Sequence, residues 1–248
     1  MLTEERYGII LDNLNRKGSI TVTEISEILG VSESTARRDI TALSIQGKLV
    51  RVFGGAVRKK VDFTEVEESV AQKKFLHVEE KKRIAKYAAS LIRPNEYVYL
   101  DAGTTTGYLI DYITDKSVTF VTDGITHASR LARAGFTVLV LGGLLREKTE
   151  AIVGAHTVMS LQKIHFSKGF FGTNGITTVE GFTTPDNSEA QVKRMAFEQS
   201  IERYVLADYS KFGKVTMMTF ADFDQATIIT DREQKGEFSD AKNIIVAP

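Results

Sequence analysis

The stretch TVTEISEILGVSESTARRDITALSIQGKLVR, Thr21 to Arg51, leaves the chain the fewest choices of fold. Thr21 followed three residues later by Glu24 is a capping box, and Ile25, Ile28 and Leu29 give the helix it opens one apolar face. Gly30 supplies a tight turn. Ser32 is placed to cap the next helix, whose Ala36, Ile40 and Leu43 face inward at helical spacing. Upstream, Tyr7, Ile10, Leu11 and Leu14 recur at i, i+3, i+4 and i+7, which predicts a helix over Thr3–Asn15 closed by Lys17-Gly18. Downstream, Gln46-Gly47 ends the third helix, and Leu49 to Phe53 followed by Gly54-Gly55 reads as a small hairpin. Three short helices and a hairpin in this order make a winged helix-turn-helix.

The inward residues of the third helix leave Ser34, Thr35, Arg37 and Arg38 outside on its first two turns. The start of a helix favours phosphate through its unpaired N–H groups and its dipole. Arginine adds bidentate contacts to phosphate or to a guanine edge, and such a helix is the kind that enters the major groove of DNA. Residues 1–60 hold ten bases against seven acids, a net +3, so the remainder carries −3, and Arg51 to Lys60 has four bases and no acid. The candidate DNA contacts are Ser32, Ser34, Thr35, Arg37, Arg38, Arg51 and Lys59. The competing reading of this stretch is a three-helix interaction module with Arg37 and Arg38 in solvent.

With 248 residues, of which 42% are hydrophobic and 26% charged, the chain has enough apolar material for a second, larger core. It contains no cysteine, which excludes disulfides, thiol nucleophiles and cysteine-ligated zinc. The first residues, MLTEERYGII, lack the design of a secretory signal. The most apolar stretch, Phe136 to Leu145, is too short and glycine-rich to span a bilayer. The expected location is the cytoplasm. His77, His127, His156 and His165 show no metal-ligand spacing, no Gly-x-Ser-x-Gly elbow is present, and no cofactor is implied.

Residues 58–78 are charged and weakly periodic, and read as a linker with a helix starting near Val66, followed by a helix from Val78 to Ile92. From there the pattern alternates. Short β-rich runs at Tyr97–Asp101, Val118–Thr122, Phe136–Leu141, Gly169–Gly172, Tyr204–Ala207, Thr227–Thr230 and Asn243–Val246 are mostly separated by helical stretches. That predicts a doubly wound α/β domain with a parallel sheet. Phe170 and Phe171 are expected to be buried strand residues.

Ligands of such sheets bind beyond the carboxyl ends of the strands. The first strand is followed by Asp101-Ala102-Gly103-Thr104-Thr105-Thr106, whose glycine and hydroxyls suit a phosphate; ordinary turn chemistry with a threonine N-cap explains the same residues equally well. Later turns bring Thr122-Asp123, Gly142-Gly143 with Arg146, Gly172-Thr173-Asn174, Lys193 on a helix that starts after Asp186, and Asp208 to Lys211. Several polar turns on one sheet edge suit a small polyhydroxy anion. The candidate effector contacts are Asp101, Gly103, Thr104, Thr105, Thr106, Thr122, Asp123, Gly142, Gly143, Arg146, Asn174, Lys193 and Lys211.

SESTARRDITALSIQGKLVRVFGGA resembles the amino-terminal signature of the DeoR family of bacterial sugar-metabolism repressors. Asp101-x-Gly-Thr-Thr, Thr122-Asp123, Gly142-Gly143 with Arg146, Glu189-Ala-x-Val-Lys-Arg and Asp208-x-Ser-Lys-Phe resemble, in the same order, its carboxy-terminal sensor domain. The chain departs from the family pattern at Ala36, at Ile40, at Phe53 on the wing where histidine is usual, and at Ser167 and Gly169 where aspartate and alanine are usual. The resemblance implies a winged helix-turn-helix over residues 1–57, a linker over 58–78, and over 79–248 a sensor domain similar to the ribose-5-phosphate isomerase and CoA-transferase-like fold. It implies a homo-oligomeric repressor, dimer or tetramer, released from operator DNA by a phosphorylated sugar. The overall likeness of the amino-terminal stretch singles out a fructose phosphate. An activator on the same sites is the alternative, and more distantly a sugar-phosphate isomerase that uses Asp101, Asp123, Glu189 and Lys193 as base and electrophile. Because fold alone confers no activity, the expectation is a sensor and not an enzyme.

Overall fold

The computed structural model describes residues 1–58, 62–63 and 69–248, which divide into two compact units. One comprises Met1–Val61 with Gln234–Ala241, and the other Asp62–Glu233 with Lys242–Pro248.

The first unit runs α1 (Thr3–Lys17), β1 (Ser19–Thr21), α2 (Val22–Leu29), α3 (Glu33–Ile45), β2 (Val50–Val52) and β3 (Gly55–Val57). The predicted caps form. Thr21 Oγ1 accepts from the Glu24 N–H at 3.1 Å while the Glu24 carboxylate accepts from the Thr21 N–H at 2.9 Å. Ser32 accepts from the Thr35 N–H, and Gly18 and Gly30 end α1 and α2 in the left-handed conformation. The predicted periodic residues Ile10, Leu14, Ile25, Ala36, Ile40 and Leu43 form one core. Arg6 grips Asp39 with two bonds, Nε to Oδ2 at 2.8 Å and Nη2 to Oδ1 at 3.0 Å, and this fixes α1 against α3. The strands form a small antiparallel sheet in the order β1–β3–β2.

The second unit begins with β4 (Asp62–Phe63), α4 (Val70–Lys73), α5 (Val78–Ser90), β5 (Tyr97–Leu100), α6 (Thr104–Leu109), β6 (Thr119–Thr122), α7 (Ile125–Arg133) and β7 (Thr137–Val140). It continues with the hairpin β8 (Leu144–Arg146) and β9 (Ala151–Val153), α8 (Ala155–Leu161), β10 (Phe166–Gly172), β11 (Gly175–Thr177), β12 (Gly181–Thr184) and α9 (Asn187–Glu198). Then follow β13 (Ser200–Leu206), β14 (Lys214–Val215), β15 (Met218–Ala221), β16 (Thr227–Thr230) and β17 (Ile244–Val246). All seven predicted strands belong to one parallel sheet in the order β17–β16–β13–β10–β5–β6–β7. The helix expected from Val66 appears as the short α4, and residues 64–68 lie outside the described residues.

The chain leaves β5 toward β6 and β7, then returns to lay β10 on the other side of β5. That reversal opens a crevice at the carboxyl ends of β5 and β10, the topological switch point of a doubly wound sheet. Val98, Leu100, Phe120, Phe170, Leu206 and Ile229 fill the core with Ile84 and Ala88 from α5. Phe170 and Phe171 are fully buried, and Phe171 stacks on Tyr99 with centroids 5.4 Å apart. Gly169 has no room for the family's alanine, because a Cβ there would approach Ser200 Oγ to 2.4 Å. Small antiparallel ladders β11–β12–β15 and β8–β9 were not foreseen.

Leu43 is fully buried in the first unit. Replacing it with alanine is expected to remove about 3 kcal/mol of that unit's stability, read as a lower urea midpoint by circular dichroism. An unchanged midpoint would show that the helices do not share this core.

Candidate functional sites on the two units

On the first unit, α3 carries exposed Ser32, Ser34, Arg37 and Arg38 and half-buried Thr35 along its first two turns. Ser32 Oγ lies 2.9 Å from Ser34 Oγ and 3.0 Å from Thr35 Oγ1, a cluster of hydroxyls at the helix start. Arg37 rests on Glu33 at 3.0 Å, an exposed i, i+4 pair. Such pairs contribute a few tenths of a kcal/mol, so Glu33 holds Arg37 only weakly. On the wing, exposed Arg51 donates to Thr41 Oγ1 of α3 at 3.3 Å. Phe53 stands at the tip, fully in solvent. Lys59 lies outside the described residues.

On the second unit, a cleft opens at the switch point. It is lined by Asp101, Gly103, Thr104, Thr105, Asn174, Lys193 and Lys211 among the expected residues. Asp101 sits just past β5, 1% exposed, and its Oδ2 accepts from the Gly172 N–H at 2.8 Å and from Lys193 Nζ. Lys193 also donates to the Gly172 carbonyl at 3.2 Å, so one ammonium from α9 ties the ends of β5 and β10 together. Burial pulls that ammonium down, but the charges of Asp101, Asp123 and Glu189 outweigh it and hold Lys193 above the ordinary lysine value. Lys211, half-buried in the short turn after β13, has no ion pair among the described residues.

The loop itself is stapled from within. Thr106 Oγ1 donates to the Asp101 carbonyl at 2.6 Å and accepts from the Gly103 N–H at 3.0 Å. The N-cap of α6 is Gly103 rather than a threonine, which leaves Thr104 and Thr105 in the first turn, where N–H groups lack intrahelical partners. Behind the loop, His127 Nε2–H donates to the Gly103 carbonyl at 3.0 Å. Its ring is wedged between Gly107 and Gly124, where a Cβ would come within 3.2 Å and 3.1 Å of it. Burial drives the His127 pKa down to about 4, so the imidazole is neutral.

Six expected residues do not line this cleft. Thr106 is spent on the staple. Thr122 is buried, donating to the Leu100 carbonyl at 2.6 Å. Asp123 is buried behind the loop, accepting from the Ala102 N–H at 3.0 Å; burial first, and the Asp101 charge second, raise its pKa to about 7. Gly142 and Gly143 belong to the exposed approach to β8. Arg146 is drawn to the first turn of α9, 2.6 Å from Glu189 and 3.4 Å from Asp186. Ser167 donates to the Tyr97 carbonyl at 2.8 Å at the opposite end of β10.

The cleft has members that the candidate set lacks. Lys73, Lys81, Thr149, Glu189 and Asp208 all line it. Asp208 Oδ1 accepts from the Ser210 N–H at 2.9 Å, whereas its Oδ2 and the Thr149 hydroxyl are buried with no hydrogen-bond partner among the described residues. Asp208 was visible in the Asp-x-Ser-Lys-Phe segment; Lys81 and Thr149 carry no sequence signal, because their place depends on how α5 and the β8–β9 turn pack.

A family model described as the DeoR C terminal sensor domain matches residues 76–232, and one described as a DeoR-like helix-turn-helix domain matches residues 6–61. The chain is 40% identical over 231 residues to an HTH-type transcriptional regulator FruR of Bacillus subtilis, itself described as uncharacterized, covering 93% of this chain and 91% of that one. It is 37% identical over 235 residues to the lactose phosphotransferase system repressor of Streptococcus mutans, covering 93% of each. Among solved structures it is similar to ribose 5-phosphate isomerase A from Methanocaldococcus jannaschii over 53% of each chain, with 15% identity and a TM-score of 0.38.

The two buried titratable groups behind the loop give opposite pH slopes. An unfolded chain protonates His127 near 6.5 and the folded one only near 4, so stability is lost as pH falls across that window. Asp123 keeps its proton to about 7 when folded but loses it near 3.8 when unfolded, so stability is lost as pH rises across that interval. Because the two windows nearly coincide, the contributions offset in the wild type; His127→Gln is expected to expose a loss of stability as pH rises across the window, and Asp123→Asn a loss as pH falls across it, both read from denaturant midpoints against pH. Unaltered slopes would show that these groups titrate alike in both states.

Proposed function

The chain belongs to the DeoR family, and from that premise we propose that it is a cytoplasmic repressor of a sugar-utilisation operon whose grip on operator DNA is released by a phosphorylated sugar. The observation that carries the effector half is the cleft at the switch point. Lys193 is fixed there by Asp101, while Lys211 lines the same cleft without a carboxylate partner among the described residues. A phosphate takes the N–H groups of Thr104 and Thr105 and the lysine, and the sugar hydroxyls satisfy Asp208 Oδ2 and the Thr149 hydroxyl, which have no partner among the described residues. A fructose phosphate is the specific effector proposed, supported by the printed name of the Bacillus subtilis relative. Operator contact is assigned to Ser32, Ser34, Thr35, Arg37, Arg38 and Arg51, with Lys59 added from its place in the basic run.

An isomerase needs a carboxylate base at the cleft wall with a proton to move. Asp101 is occupied by Lys193 and the Gly172 N–H, Glu189 is paired with Arg146 at 2.6 Å, and Asp123, whose pKa suits a base, is behind the loop. Sensing rather than turnover is the reading these positions favour. No helix among the described residues is long and apolar enough to cross a membrane. Palindromic or repeated half-sites suit an assembly of two or four copies, each adding one α3.

A thermal-shift screen against phosphorylated sugars, each beside its unphosphorylated parent, tests the effector. A ligand at a hundredfold excess over its Kd adds about 2.7 kcal/mol, so one phosphate ester is expected to raise the melting temperature alone; a flat panel refutes the assignment. Thr105→Ala should leave DNA retention intact and abolish release by that ester, and a normal release would remove Thr105 from the site. Arg37→Ala and Arg38→Ala are each expected to weaken operator retention at least tenfold with unchanged circular dichroism. Undiminished affinity in both would end the assignment of α3 to the groove.

A further inference from the structure

We propose that Phe53 is a DNA contact in its own right, an apolar wedge that the wing presses against a base step in the minor groove. The proposal rests on the DNA-binding reading above and adds a second mode of contact to it. Phe53 is 107% exposed, and it stands at the two-residue turn between β2 and β3. A single apolar side chain in solvent is ordinary. What distinguishes this one is the rigidity of its mount and the charge around it.

The turn has φ negative at Phe53 and +79° at Gly54, the pattern of a type II turn with glycine at its third position. The Gly54 carbonyl accepts from the Val22 N–H at 2.9 Å, which anchors the turn to the first residue of α2. Behind it, β3 is pressed so closely on β1 that a Cβ on Gly55 would lie 2.2 Å from the Ile20 carbonyl oxygen. The hairpin is joined to α3 by Arg51, whose guanidinium donates to Thr41 Oγ1. Phe53 is thus held out from the protein by a pinned turn, with Val50 and Val52 exposed beside it.

The flanking charge selects the partner. Arg51 and Arg58 bracket the hairpin, in a ten-residue run, Arg51 to Lys60, with four bases and no acid. A protein surface that accepted Phe53 would have to answer that charge with carboxylates. Duplex DNA supplies both halves, phosphates for the arginines and base faces for the ring. With α3 in the major groove, a hairpin attached to its flank reaches the neighbouring minor groove. There, apolar wedges such as phenylalanine enter between base pairs, unstack a step and bend the duplex.

The experiment uses the full chain and a duplex selected from a randomised 30-base-pair library by the wild-type protein. Affinity is measured against salt, bending by energy transfer between the duplex ends, and unstacking by 2-aminopurine placed at successive steps. Phe53→Ala is expected to weaken binding roughly tenfold, the scale of one lost base stack. It should also abolish the bend and the 2-aminopurine signal, and leave the salt slope as it was, since the ring carries no charge. Phe53→Tyr should restore all three, and Arg51→Ala should keep the bend while lowering the slope by about one. Phe53 is fully exposed among the described residues, so folding is not at stake; a matching thermal melt checks this. Wild-type affinity and bending in Phe53→Ala overturn the proposal, as does a loss of affinity with the bend and unstacking intact. If the wild-type protein selects no duplex at all, the DNA-binding reading falls and the wedge with it.

Discussion

The second unit depends on a buried ion pair. Lys193 and Asp101 are both nearly inaccessible, and together with the Gly172 amide they join α9, the end of β5 and the end of β10 at one point. A buried charge is expensive unless paired and hydrogen-bonded, and here each partner is. Asp101 accepts from a lysine and an amide, and Lys193 also reaches the Gly172 carbonyl. Removing either partner leaves the other stranded in a low dielectric, so the pair holds the crevice open at the place where the sheet reverses direction. The lining of the cleft is assembled around this fixed centre. The Gly103–Thr105 loop is stapled by Thr106 and backed by neutral His127, so its backbone is held in place by the protein alone.

The first unit is arranged the other way. Its fixed charge pair, Arg6 with Asp39, lies on the inner side of α3 and sets the helix against α1. Among the described residues the arginines on the outer side are held by nothing comparable, since Arg37 pairs with exposed Glu33 and Arg51 with a hydroxyl. Of the Arg-Arg-Asp triplet, then, the acid is architectural and the bases face outward.

Much of this was legible in the sequence because the relevant signals are local. The caps at Thr21 and Ser32, the apolar spacing of Ile10, Ile25, Ile40 and Leu43, and the glycine turns all act within a few residues, and each appears as read. The seven buried strand runs were readable for the same reason. What the sequence concealed was which polar turns converge. Every strand of a parallel sheet ends in a polar turn on the same edge, so Thr122-Asp123 after β6 and Gly142-Gly143 after β7 look as promising as Asp101 and Gly172. The strand order decides. The crevice lies between β5 and β10, and the turns after β6 and β7 fall on the side away from it. Arg146 misleads in a related way, because its guanidinium is drawn to Glu189 and Asp186 on α9. Thr149 and Lys81 enter the cleft only through packing at long sequence separation, which leaves no periodic trace.

Any release of DNA by a ligand in this cleft obeys a reciprocity that the geometry alone cannot evade. A sugar phosphate bound equally well by the DNA-bound and unbound states shifts nothing, however tightly it binds. If the ester weakens operator affinity a hundredfold, operator DNA weakens the ester's affinity by the same factor. The differential contact has to be one that the two states make unequally. The Lys193–Asp101 pair is too constrained to supply it, since moving either group strands a buried charge. Residues at the rim of the cleft without such anchoring carry the difference more readily. Lys211, on a short turn and without an ion pair among the described residues, is of that kind. If the proposed ester binds here, the Lys193–Asp101 floor stays fixed and the difference between the two states falls to Lys211 at the rim.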